Sequence, residues 1–171
     1  YAAASREARA QIKDVGGFVG GFLRAGKRSP QNVAHRQLMA LDIDYAASAE
    51  DFWEAYELLL GYEAVLHSTH SHTEESPRLR LVMPMSREAA PEEYSAFSRW
   101  IAGVLGIELF DPTTFEVNRL MYWPSVPSDA EYFFRHAEGS WADVDEVLSQ
   151  YADWRDSSSW PVAQSCEAAV L

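Results

Sequence analysis

Residues 36–46 read RQLMALDIDYA, an apolar run that ends in two aspartates one residue apart. Period-two alternation puts Leu38, Ala40, Asp42 and Asp44 on one face of a strand. Met39, Leu41 and Ile43 fall on the other. The second face asks for a dry core, while the first carries two carboxylates that repel each other and cost desolvation. A cation between the acids resolves that repulsion, and hard oxygen ligands suit Mg²⁺ or Mn²⁺. On this reading, deleting one acid relieves repulsion and does not lower stability. The plain alternative is a strand end with solvated acids.

The remaining pattern alternates strands and helices with short loops. Ala2 to Lys13 reads as a short polar helix. Asp14 to Pro30 holds five glycines and reads as a hairpin or loop region. It lacks the Lys followed by Ser or Thr of a phosphate-binding loop, so tight turns explain the glycines. Ser48 caps a helix through AEDFWEAYELLL, with Asp51 as its capping-box partner and Phe52, Tyr56 and Leu59 at helical spacing. Gly61 ends it. Tyr62–His70 and Arg78–Met85 read as strands. Pro91 opens a helix that runs to Gly106. Arg119–Pro124 and Glu131–Ala137 read as two more strands, and Ser140 caps a last helix from Ala142 to Trp154. This order predicts an α+β fold, a mixed or antiparallel sheet with helices packed mainly on one face.

The chain of 171 residues suits one domain with a real core. The expectation is one catalytic domain over residues 1–155, with 156–171 a polar tail or the start of a linker. The first residue is Tyr1 and not methionine, which reads as a piece of a longer protein. The single cysteine, Cys166, excludes an internal disulfide framework and a Cys-rich zinc site, and it fits a reducing cytoplasm. No stretch is long and apolar enough to span a bilayer, and no signal-peptide pattern opens the chain.

The net charge of −12 speaks against a nucleic-acid partner, but its distribution is uneven. No acid occurs from Val15 to Leu41, where Arg24, Lys27, Arg28 and Arg36 lie. None occurs from Ser76 to Arg87, where Arg78, Arg80 and Arg87 lie. These stretches predict a basic surface on an acidic protein, with Arg24, Lys27 and Arg28 as its nucleic-acid-binding residues; ordinary charge scatter is the plain alternative.

Two further features carry chemistry. Asp111, in LFDPTTFEVNRLMYWP, supplies a third carboxylate from a distant segment, as a two-metal site requires; a turn aspartate before proline is the plain reading. In HSTHSHTEESPRLRLVMP, His67, His70 and His72 lie just before Arg78 and Arg80. His-x-His without cysteine is a loose zinc pattern. The alternatives are a set of phosphate donors, with arginine in fork geometry, or a polar loop of solvated histidines.

The three features in this order resemble the archaeo-eukaryotic primase superfamily, in the form found in phage and plasmid replication proteins of primase–helicase type. Asp42-Ile43-Asp44 matches its first motif. Ser68-Thr69-His70 matches the letters of its second, although THSHTEESPRLRLV also resembles a variant in which Arg80 or Arg78 takes the histidine's place. Asp111, followed by Asn118-Arg119 and Tyr122-Trp123-Pro124, matches the third. The resemblance runs from about Gly16 to Tyr151 and includes the GGFVGGFLRAGKRSPQNV segment.

The resemblance implies an RRM-like primase–polymerase core that copies a single-stranded DNA template from NTP or dNTP with two divalent ions, Mg²⁺ or Mn²⁺. Asp42, Asp44 and Asp111 would be the catalytic, metal-holding acids. His70, Ser71, His72, Arg78, Arg80 and Arg119 would hold the triphosphate. A helicase domain in the same full-length chain and a place in the host cytoplasm also follow. The rivals are a metal-dependent nuclease, which needs similar acids, and a non-catalytic RRM-like binding module.

Overall fold

The computed structural model describes residues 14–164, together with residues 8, 11 and 12. In chain order its elements are β1 (Gly17–Phe18), β2 (Gly21–Leu23), β3 (Val33–Ile43), α1 (Ala49–Leu59), β4 (Ala64–Ser68), β5 (Leu79–Ala89), α2 (Pro91–Leu105), β6 (Met121–Tyr122), β7 (Phe134–Ala137) and α3 (Val144–Leu148). Five strands form one antiparallel sheet in the order β2-β3-β5-β4-β7. Strands β1 and β6 form a separate two-stranded ribbon. The fold is α+β, as the sequence pattern predicts.

The dry face of the sheet is set by register. Met39 pairs with Met83, Leu41 with Leu81 and Ile43 with Leu79 across β3 and β5, and Leu66 on β4 pairs with Leu81. All seven side chains are fully buried. Residues paired directly across an antiparallel ladder share a face. That face therefore packs into one cluster with Phe52, Trp53 and Tyr56 of α1, Tyr94, Phe97 and Ile101 of α2, and Val144, Val147 and Leu148 of α3. From Leu38 to Asp42 and from Arg80 to Pro84 the even-numbered residues point the other way.

The caps explain two of the helices. The Ser48 hydroxyl accepts from the Asp51 amide at the start of α1. Glu93 accepts from the Ala90 amide at the start of α2, where Pro91 sits in the first turn. Leu59, expected on the apolar face of α1, is 52% exposed, and Trp53 takes that place in the core. The last helix is shorter than its pattern predicts. Ala142 bridges Met85 in the sheet, so the chain is still extended there. The helix starts only at Val144, capped by Asp143 and not by Ser140.

Strands are also trimmed or extended. The chain from Arg36 to Ala46 enters the sheet earlier, at Val33, and leaves it at Ile43, so Asp44 lies just past the strand end. Arg78 likewise stands just before β5, which continues to Ala89. The 119–124 and 131–137 strands shrink to β6 and β7. The glycine-rich segment is not a hairpin, because β1 and β2 pair with β6 and β3 and not with each other. Gly20 and Gly21 serve close approach and not turning: a Cβ on either would collide with the carbonyl of Leu38 or His35 on β3.

The predicted helix from Ala2 to Lys13 falls almost wholly outside the described residues. At the other end, Asp156 caps a short 3₁₀ turn (Ser157–Ser159). Trp160 then packs on the core, and its indole donates to the Trp154 carbonyl at 2.7 Å.

Candidate active site

The open face of the sheet carries a polar row that the register builds. Asp42 on β3 stands opposite Arg80 on β5, and Arg80 stands opposite His67 on β4. Arg80 Nε donates to Asp42 Oδ1 at 2.7 Å, and its Nη1 donates to the Tyr122 carbonyl at 2.7 Å. The Arg80 side chain is only 7% exposed. Two residues along, Arg78 Nη1 meets Asp44 Oδ2 at 2.8 Å, and the Arg78 side chain is 34% exposed. Asp-x-Asp thus faces Arg-x-Arg. The repulsion expected between the acids is already answered, so removing one acid strands an arginine instead of relieving strain.

Asp111 reaches the same place through the end of β3. Phe110 bridges Ile43, the Asp111 amide donates to the Asp42 carbonyl at 3.0 Å, and the buried Thr114 hydroxyl accepts from the Asp42 amide at 2.8 Å. The carboxylate of Asp111 caps the 3₁₀ turn Pro112–Phe115 through the Thr113 amide and hydroxyl. Its second oxygen accepts from Arg119 Nη2 at 3.1 Å. The turn role and the site role therefore coincide in one side chain.

These groups line one cavity of about 560 Å³. Of the sequence-predicted residues, Asp42, Asp44, Asp111, His70, Ser71, Arg78, Arg80, Arg119 and Arg28 line it. His72 does not. Its Nδ1 accepts from the Arg78 amide at 3.1 Å, and its ring lines a neighbouring groove with Glu50, Glu74 and Asp129. Arg24 and Lys27 are exposed and lie outside the cavity lining. Sequence reasoning named His67 in the histidine cluster without giving it a place in the site, quoted Thr69 and Trp123 only within motifs, and passed over Glu116 and Ser125; all five line the cavity. The alternation of His67 with Val65 along β4 was the available signal for the first of them.

The acid-free stretches do not translate into a continuous basic surface. Arg36 is fully buried. Arg78 and Arg80 are paired with aspartates, and Arg87 is held by Glu93 and Asp145. Carboxylates elsewhere in the chain neutralise Arg78, Arg80 and Arg87.

The histidines are held in place and not free in a polar loop. His70 is buried, and its Nδ1 lies 2.8 Å from the Ser125 hydroxyl. His67 is buried too, with Nδ1 at 2.9 Å from the Ser68 carbonyl. A carbonyl only accepts, so Nδ1 carries the proton. Desolvation is the main cause that pushes the His67 pKa below its ordinary value, with the Arg80 charge adding to it and Ser68 and Asp42 opposing. Burial lowers the pKa of His72 as well. Both rings are neutral near pH 7.

For a histidine whose folded pKa is depressed, the unfolded chain binds the extra proton first. Its stabilising effect is complete above the ordinary value of about 6.5 and is lost as pH falls towards the lower folded pKa. Thermal unfolding scans of wild type and His67→Gln should therefore converge as pH drops below about 6. A wild-type acid limb as shallow as that of the variant would remove His67 as the titrating group.

The sequence profile described as VapE N-terminal domain matches residues 1–163. The chain belongs to the VapE N-terminal domain family. Among solved structures, the chain is similar to the AEP domain (PP-N190) of the cyanophage S-2L primase-polymerase. The TM-score is 0.57 and the identity 14%, over 85% of this chain and 76% of that one. At that identity the likeness is one of fold. No curated protein matches the chain. The chain thus carries the profile of the VapE N-terminal domain family and shares its fold with a phage primase-polymerase domain. Among the described residues no helix is long and apolar enough to cross a membrane.

The resemblance read from the sequence implies divalent ions, and the donor chemistry suits them: the three candidate aspartates, with Glu116, line one cavity, and hard oxygen is what Mg²⁺ and Mn²⁺ take. Among the described residues no cluster of three or more His, Cys, Asp or Glu side chains is arranged to hold a metal. Each of the three acids is instead bonded to an arginine. The residues fit a divalent ion in kind, and its entry would require the guanidinium groups to yield.

Proposed function

We propose that this domain is a template-directed nucleotidyl transferase, a primase with DNA polymerase activity, in phage or plasmid replication. One observation carries the reading: three aspartates from two distant segments and four arginines line a single cavity on the open face of the sheet. The reaction is attack of a 3′-hydroxyl on the α-phosphate of a bound NTP or dNTP, with pyrophosphate leaving. Asp42, Asp44 and Asp111 would hold two divalent ions, Mg²⁺ or Mn²⁺, which lower the pKa of the attacking hydroxyl and neutralise the triphosphate. Single-stranded DNA as template, a helicase domain in the full-length chain and the host cytoplasm complete the proposal.

The arginines divide their work by burial. Arg80 is nearly inaccessible and orients Asp42. Arg119 bonds Asp111 but is a third exposed. Arg78 is equally exposed and borders the same cavity, so its fork, like that of Arg119, is open to pass from its aspartate to a phosphate. Arg78→Ala should weaken nucleotide affinity by about 2 kcal/mol, roughly thirtyfold, the scale of a charge-assisted bond. His72→Ala should leave affinity unchanged, because His72 faces the neighbouring groove. Calorimetric titration of both variants with a dNTP checks this; a larger loss in His72→Ala would return the triphosphate to the histidine loop.

The function itself is tested with a single-stranded template, Mg²⁺ or Mn²⁺ and labelled nucleotides, with and without a primer. Extension of the primer, and labelled product without one, are the expected results. Template cleavage without incorporation would mean a nuclease. Strand binding that needs no metal, with neither reaction, would mean a binding module.

A further inference from the structure

Trp123 is 51% exposed at the rim of the cavity. An indole is a large apolar surface to leave in water, and such side chains usually find burial or a partner. The ring is nevertheless held. The Trp123 amide donates to the Gly16 carbonyl at 3.1 Å. The indole also packs against Phe18, centroids 5.0 Å apart and planes tilted by 33°. The β1–β6 ribbon therefore supports the ring while half of its surface stays in solvent.

Arg28 lines the same cavity. Of the four arginines there, Arg78, Arg80 and Arg119 each bind an aspartate. Among the described residues Arg28 has no carboxylate partner; its Nη1 donates to the Asn118 carbonyl at 3.2 Å, and further donors remain. Arg24 and Lys27 lie on the same exposed segment. Among the described residues Arg28 is thus the cavity arginine without an ion pair, on a chain of net charge −12.

We propose that Trp123 is a stacking platform for an unpaired base of a single-stranded nucleic acid, with Arg28 meeting the adjacent phosphate. The inference rests on the template-directed reading above and names the strand contact of that same site. A supported aromatic face sharing a cavity with a guanidinium that has no carboxylate partner is the pairing that takes a base and its phosphate together. A duplex would bury its base faces in its own stack, so the ligand is a single strand. The acidic groove beside His72, with Glu50, Glu74 and Asp129, would repel a phosphate backbone, so the strand passes on the Arg28 side.

The test is fluorescence anisotropy of a labelled oligothymidylate in EDTA, where no transfer occurs. Trp123→Ala should weaken binding roughly tenfold or more, and Trp123→Phe should keep most of it. A strand carrying abasic sites should bind wild type and Trp123→Ala alike. Arg28→Glu should weaken binding of both strands and flatten its salt dependence. Equal affinity of Trp123→Ala and wild type for the intact strand overturns the proposal. So does a loss that persists with the abasic strand, or a loss confined to dNTP binding. If Trp123→Ala does not fold, wild type against the abasic strand decides alone: equal binding of intact and abasic strands overturns it. Primer extension that survives in any of these cases leaves the transferase reading intact.

Discussion

Asp42→Asn is expected to abolish nucleotide incorporation while the domain stays folded. Asparagine has the shape of aspartate, and its side-chain carbonyl can still accept from Arg80 Nε, which now sits 2.7 Å from Asp42 Oδ1. The charge is lost, and with it the hard anionic ligand. A loss of at least about a thousandfold, about 4 kcal/mol of barrier, is the scale for removing a charge aimed at the reacting phosphate. Asp42→Ala is the less informative variant. It leaves the Arg80 guanidinium, 7% exposed, with the Tyr122 carbonyl as its acceptor. That should lower stability by about 2–3 kcal/mol. Thermal unfolding beside primer extension separates the two effects. Full incorporation by Asp42→Asn would remove Asp42 from the reaction.

The difference between those variants marks the limit of what the sequence alone conveys. The alternation in residues 36–46 predicts one dry face and one polar face for β3, and both are found, because burial acts on each residue through its own strand. That Asp42 faces Arg80 depends on the register between strands 38 residues apart, which no local pattern encodes. The same holds for charge. Val15 to Leu41 has no acid, yet Arg36 is buried and only Arg24, Lys27 and Arg28 remain outside. The glycines were legible as conspicuous but not as sites of close approach, since the carbonyls they admit belong to β3. Asp111 was legible as an acid at a turn. Its place beside Asp42 comes from a backbone bond across 69 positions of chain.

Arg36 shows how far such tertiary contacts reach. It sits where the β3 register shifts against β5, between Arg36 and Leu38, an irregularity of the kind that redirects a side chain. Its guanidinium is fully buried and has no carboxylate among the described residues. Three carbonyls solvate it instead: Nε donates to Gly20 at 3.1 Å, Nη1 to Val117 at 2.7 Å and Nη2 to Leu38 at 3.0 Å. The Tyr94 ring lies 4.0 Å from its central carbon. One side chain thereby ties the entry of β2, the strand β3, helix α2 and the loop that leads to Arg119. Arg36→Ala should cost about 3–5 kcal/mol, from the cavity it leaves and from the Val117 and Leu38 carbonyls that lose a donor. Arg36→Met fills most of the volume and orphans the same carbonyls, so it should cost less but not nothing. Arg36→Lys keeps the charge without the fork and cannot reach three acceptors in fixed directions. Denaturant unfolding of the three variants gives the order directly. If Arg36→Met proved as stable as wild type, the carbonyl clamp would contribute nothing net, and packing alone would hold the Val117 loop against the sheet.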